Sequence, residues 1–275
     1  MTKTTPEDTG RRVVVILGTG GSGRKLVEMA LPLLGKDIRM EGVFLEEAGL
    51  QQAASLPFVK ELCRLTFTER EFHSADLERD LARRIRSARR LVEDMAGRAG
   101  VGHSFRNVRG PAVRLLRETV FASDITIFEP LRSFVSTLET PRQSPRAPVR
   151  LVVAVSEPVS GAAALLAAAR LAHGSARRFS VLLTARAARD RERFEELAAR
   201  VLPEETVYLR VLPGDDVATI ISAIRRETPA MLVLGATETL LAGDALRLLR
   251  EQLRCPICLV RNWREETELS LLPRN

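Results

Sequence analysis

Short, unbroken apolar runs alternate with amphipathic stretches along most of this chain. The first run is Val13–Leu17, interrupted by Gly18-Thr19-Gly20-Gly21-Ser22-Gly23. Helical spacing follows, with Leu26, Met29, Ala30 and Leu33 on one face and Gly35 at the end. A second run, Ile38–Leu45, ends at Glu46-Glu47. Residues 48–70 lack a clean period, and the pattern predicts an irregular insert there with a short helix over 57–65. From Ser74 to about Arg98 the period is helical: Leu77, Leu81, Ile85, Ala88, Val92 and Met95 form one stripe and Arg79, Arg83, Arg86 and Arg90 another. A third strand is expected over 101–108 and a turn at Gly110-Pro111. A helix over 112–120 and a fourth strand over 124–128 follow. Pro130 can open a short helix carrying Leu131, Phe134, Val135 and Leu138. A proline-rich linker, Pro141 to Pro148, comes next with no fifth strand before it.

After the linker the same order returns in full. Strands are predicted over 150–155, 179–184 and 206–212, with helices over 160–172, 190–201 and 216–226. Pro213-Gly214-Asp215 repeats the turn made by Arg109-Gly110-Pro111. Met231–Leu234 then forms a fourth strand ending at Gly235. A loop through Ala236, Thr237 and Gly243 leads to a helix with Leu246, Leu249 and Leu253 on its apolar face. Pro256 stops that helix, and Ile257–Val260 makes a fifth strand. Two βα-alternating units of similar length describe an internal duplication, 1–140 and 148–275. Strands alternating with helices imply parallel sheets covered on both faces.

Composition narrows the function. The 275 residues carry a net charge of +7, nearly all from arginine, since the lysines are Lys3, Lys25, Lys36 and Lys60 alone. Such basicity invites a nucleic-acid reading. Aromatic residues make up only 4% of the chain, which leaves few stacking platforms. The arginine-rich helices also carry Asp and Glu, the signature of solvated, salt-bridged faces. Nucleic acid is therefore disfavoured as a partner. No stretch approaches the ~20 apolar residues of a membrane span, and the polar start lacks a signal-peptide pattern. A cytoplasmic location without membrane insertion is expected. Of Cys63, Cys255 and Cys258, the last two have redox-motif spacing, but they enter a strand, where side chains three apart point to opposite faces. They read as small buried hydrophobes. With His73, His103 and His173 scattered, no metal site is expected.

Strand, glycine loop, helix, Cys255-Pro256 and a final strand closing on Val260-Arg261 resemble the end of a universal stress protein domain. The resemblance extends over essentially the whole chain, strongest over 205–261. It implies an α/β fold of two tandem, Rossmann-like domains, each a parallel sheet with helices on both faces, the first lacking its fifth strand. Within the family the sheet order is 3-2-1-4-5, and the fifth strand is the edge through which domains commonly pair. One branch of the family binds ATP, with an Asp after the first strand and a G-x2-G-x9-G-[ST] loop after the fourth.

Carried onto the second unit, that pattern is degenerate. Ser156 stands at the Asp position, Gly235 matches the first glycine, and Glu238 replaces the second. Gly243 matches the third, and Asp244 replaces the Ser/Thr, a carboxylate where a phosphate oxygen would sit. The connection is about five residues shorter than the family pattern. Tight ATP binding is not expected at this degenerate set, which comprises Ser156, Gly214, Gly235, Ala236, Thr237, Gly243 and Asp244. The first unit has no glycine loop after its fourth strand, yet Gly18, Gly20 and Gly23 satisfy G-x-G-x-x-G between a strand and a helix. Glu46 stands where a dinucleotide fold puts its ribose-binding carboxylate. The candidate nucleotide or anion site is thus Gly18, Thr19, Gly20, Gly21, Ser22, Gly23, Glu46 and Gly110, unless the glycines merely make a tight turn.

No nucleophile elbow or acid–base pair is visible, so the chain is not expected to be an enzyme. The leading expectation is a non-catalytic stress-response or regulatory protein. A dinucleotide enzyme (NAD or FAD) using the first unit as a Rossmann half is an alternative. A cytosolic regulatory partner of a membrane transporter is another. The two units are expected to meet internally, the second unit's fifth strand beside the first unit's open edge. A homodimer is expected in addition, and a client protein is open.

Overall fold

The computed structural model describes residues 11–18, 23–35, 37–56, 60–62, 68–71, 74–131, 149–172, 177–202 and 206–261. The first half runs β1 (Arg11–Leu17), α1 (Gly23–Ala30), β2 (Ile38–Glu47), α2 (Ala48–Ser55), β3 (Lys60–Leu62), β4 (Glu69–Glu71), α3 (Ser74–Ala99), β5 (His103–Gly110), α4 (Ala112–Phe121) and β6 (Ile125–Phe128). The second runs β7 (Val149–Val155), α5 (Pro158–Ala172), β8 (Arg177–Leu183), α6 (Arg191–Val201), β9 (Thr206–Val211), α7 (Val217–Glu227), β10 (Met231–Gly235), α8 (Glu238–Leu241), α9 (Ala245–Gln252) and β11 (Ile257–Val260). Pro32 tightens the end of α1 into a 3-10 turn, Leu31–Leu33, because its ring blocks a further helical hydrogen bond.

One joint unites the strands of the two halves in a single sheet. The nine-stranded sheet has the order β5-β2-β1-β6-β11-β10-β7-β8-β9. Within each half neighbouring strands are parallel, while β6 and β11 pair antiparallel, Ile257 opposite Phe128 and Val260 opposite Ile125. The expected internal meeting of the two edges is therefore present, and the order reads 3-2-1-4 against 5-4-1-2-3. Because the joint is antiparallel, the carboxyl ends of the two strand sets lie at opposite edges of the sheet. The joint is closed at one end by backbone bonds from Asp124 N to Arg12 O and from Arg261 N to Asp124 O.

Alternate residues of each strand feed opposite faces, as the two-residue period of a strand requires. On one face Val13, Val15, Phe44, Leu151, Val153 and Val233 pack with buried side chains of α1, α3, α5 and α6. On the other, Val14, Ile16, Val43, Val152, Ala154 and Leu232 pack with α4, α7, α8 and α9. Helix α5 is buried around nearly its whole girth, which explains its run of glycine and alanine. A Cβ on Gly161 would lie 2.3 Å from Val155, so this helix and β7 approach closer than larger residues permit.

The arginine surplus has structural work on the second face. Arg225 donates to the last carbonyl of α9, Gln252 O, at 3.3 and 3.2 Å, the favourable place for a cation on a helix. Arg117 of α4 donates to Gly243 O at 2.9 Å, and Arg250 of α9 pairs with Glu47 of β2, both across the two halves. A carboxylate bridging two arginines occurs in each half, on a strand in the first and at a helix end in the second. Buried Glu41 on β2 bridges Arg12 and Arg106, while Glu227 bridges Arg150 (3.1 Å) and Arg210 (3.4 Å), with Ser180 donating at 3.3 Å.

Two local expectations need correction. The insert holds its helix at 48–55 rather than 57–65; Lys60–Leu62 instead pairs antiparallel with Glu69–Glu71. The loop after Gly235 contains a helical turn, α8, because Thr237 caps it by accepting from Leu240 N at 3.1 Å while Leu240 and Leu241 are buried. The helix expected after Pro130, the linker 141–148, Cys63, His73 and His173 lie outside the described residues.

Candidate functional site

Parallel strands place their following loops at one edge, so β1, β2 and β5 bring Gly18, Glu46 and Gly110 to the carboxyl edge of the first half. Gly18 is exposed, and a Cβ built there meets nothing within 4 Å. Gly23 opens α1, and a Cβ there would touch only the side chains of Leu17 (3.3 Å) and Leu91 (3.8 Å). Thr19, Gly20, Gly21 and Ser22 lie outside the described residues. The Glu46 carboxylate accepts a hydrogen bond from Asn107 on β5, and Glu47 turns to the opposite face toward Arg250. Gly110 leads into Pro111, which caps α4.

Helix α3 packs on β2 and on α2, the helix that follows it. Gly42 of β2 lies against Val92 of α3, where a Cβ would come within 2.6 Å. The helix pattern was legible in the sequence, but where α3 packs along β2 was not.

The opposite edge belongs to the second half, and it is filled. The end of β10 lies directly on the first turn of α5: a Cβ on Gly235 would sit 2.6 Å from both Cβ and the carbonyl oxygen of Ser160. Gly235 is thus needed for helix–strand contact. Gly243 has φ +57, the left-handed region, and turns the chain from α8 into α9. Asp244 pairs with Arg247 at 3.1 Å; that hydrogen bond and charge hold its carboxyl below the ordinary 3.8, so it is an anion at neutral pH. Ser156 and Glu157 separate β7 from α5, and Glu157 lies 3.8 Å from Arg186. The backbone N–H of Arg186 is taken by Asp215 at 2.7 Å, next to Gly214. Arg186 and Asp215 were not foreseen as part of this edge, and no spacing in the sequence marks them.

Cys255 and Cys258 are buried on opposite faces of the sheet, as the strand reading required. Burial pushes the Cys255 thiol up to about 12 and the Cys258 thiol up as well, so both are protonated at neutral pH. Among the described residues no three His, Cys, Asp or Glu side chains cluster as metal ligands. Among them too, no helix is long and apolar enough to cross a membrane.

No family model matches the chain, and no curated protein is significantly similar to it. Among solved structures it is similar to a universal stress protein from Archaeoglobus fulgidus, at 11% identity over 92% of this chain and 97% of that one, TM-score 0.47. It is also similar to the cytoplasmic domain of a prokaryotic cation chloride cotransporter, at 12% identity over 96% of this chain and 100% of that one, TM-score 0.48. A universal stress protein in complex with cAMP matches 41% of this chain and 97% of its own, at 16% identity and TM-score 0.33.

Proposed function

We propose that this chain is a non-catalytic regulatory protein of the universal stress protein type, with one residual nucleotide or anion site at the first glycine loop. The observation that carries the reading is the asymmetry of the two carboxyl edges. At the second, Gly235 is packed on Ser160, and Asp244 with Arg247 occupies the position of a phosphate-binding hydroxyl. At the first, Gly18 is exposed and Gly23 begins α1, and a helix start attracts anions. Glu46 stands on the adjacent strand.

The function follows as ligand-dependent regulation. No group is assigned to bond making or breaking.

Calorimetry with ATP-Mg, together with mass spectrometry of small molecules released from the purified protein, tests this reading. ATP is expected to show no tight site. Any ligand found is expected to be lost in Gly20→Val, which blocks backbone approach, with the circular dichroism of the protein unchanged. A stoichiometric, tight ATP isotherm abolished by changes at Gly243 or Asp244 would overturn it.

A further inference from the structure

We propose that the β9 edge of the sheet docks a second copy of this chain, antiparallel, across a two-fold axis at Leu209. The proposal is independent of the ligand reading above. With β11 used internally, the sheet ends at β5 and β9. The two ends differ in character. β5 (HSFRNVRG) carries His103, Arg106, Asn107 and Arg109, and its Phe105 ring lies under Arg89 at 5.3 Å, a polar edge of the kind that resists pairing. β9 (TVYLRV) exposes Tyr208 by 59% and Val211 by 41%.

The hydrogen-bond register selects the occupant. Leu212 N donates to Leu183 O, so the amides of Tyr208, Arg210 and Leu212 turn toward β8. Those of Val207, Leu209 and Val211 therefore point outward. An antiparallel copy centred on Leu209 sets Val207 opposite Val211 of the second copy and Leu209 opposite itself. All three outward residues then pair through hydrogen bonds. The α6 face gains a continuous apolar row. On the other face each Arg210, whose guanidinium lies 3.4 Å from Glu227 of its own chain, stands opposite Tyr208 of the other copy, its stem against the ring. Centring on Tyr208 instead uses fewer outward residues and opposes Thr206 to Arg210. The strand is thus self-complementary in one register, as an isologous contact requires.

A strand edge alone is narrow against the roughly 800 Å² per partner of a stable interface. Beside it lies a groove of ≈ 540 Å³, between Arg191, Glu195, Ala198 and Leu202 of the α6 flank and Val207 and Leu209 of β9. This groove is continuous with the apolar row, and its small alanine floor admits the flank of the second copy. The joint repeats the antiparallel geometry by which β6 and β11 already extend the sheet.

The test uses the full chain in sedimentation equilibrium over a concentration series, with hydrogen exchange of the β9 amides. A concentration-dependent dimer is expected. Val211→Glu, at an exposed position, is expected to weaken it by at least about tenfold without changing the circular dichroism. Leu209→Cys is expected to cross-link to its own copy on mild oxidation, because hydrogen-bonded antiparallel pairs stand about 5.5 Å apart; the unsubstituted chain and Ser104→Cys on β5 are the controls. A monomer at every concentration overturns the proposal, and so does a dimer indifferent to Val211→Glu. A monomer with protected Val207, Leu209 and Val211 amides overturns it too, by showing that another segment of the same chain occupies this edge.

Discussion

At the residue scale, three glycines with the same letter have three different jobs. Gly235 lies under Ser160, Gly243 turns through positive φ, and Gly18 stands in open space. Gly235→Ala is expected to cost about 1–3 kcal/mol by overpacking, and Gly243→Ala about 1–2 kcal/mol by left-handed strain. Gly18→Ala is expected to stay within about 0.5 kcal/mol. Urea unfolding midpoints of the three variants check this ranking; a Gly18→Ala loss as large as that at Gly235 would show that the first loop is packed rather than open. The sequence reading treated Gly235 and Gly243 as remnants of a phosphate loop. Both positions were legible as glycines with a reason, but whether the reason is a ligand or a neighbouring helix depends on what lies above them.

At the element scale, α9 is the piece on which the second face depends. Its ends are held by Arg117 and Arg225, and its Arg250 reaches Glu47 on β2, far away in sequence. Arg250 is 15% exposed, so removing it leaves the half-buried Glu47 carboxylate without its cation. Arg250→Met is expected to destabilise the protein by about 1–3 kcal/mol, and Arg250→Met with Glu47→Leu by less, since the orphaned charge is gone. A double-mutant cycle in urea reads the difference; strictly additive losses would mean that the two side chains do not interact. Nothing in a helix with Leu246 and Leu249 on one face announces which strand its arginine will reach. Its apolar stripe was nonetheless legible, as were the start of β2, the extent of β11 and the long course of α3.

At the scale of the whole molecule, the decisive contact is the antiparallel joint of β6 and β11. Each of the two strands is flanked on both sides, so the amides of Ile257–Val260 are expected among the slowest to exchange in the intact chain. Excised residues 148–275 lose β6 and present β11 as an apolar edge, and light scattering is expected to find them self-associated. Fast exchange at 257–260 in the intact chain, with a strictly monomeric excised half, would refute the joint. The antiparallel sense also separates the two carboxyl edges, so a ligand at one edge cannot touch the other.

What the sequence determined by itself was everything local in cause. Apolar runs such as Val13–Leu17 and Met231–Leu234 are strands because helices must cover both their faces, and the β–α alternation makes their pairing parallel. The strand order 3-2-1-4 and the meeting of the two edges were what the family resemblance implied, and the sheet of the described residues has both. Only the tertiary structure decided the rest. The close approach of α5 to Gly235, the packing of Val92 on Gly42 and the reach of Arg250 to Glu47 depend on distances between segments that are remote in the chain. A residue's letter carries its size and charge, but not the neighbour that packing brings to it.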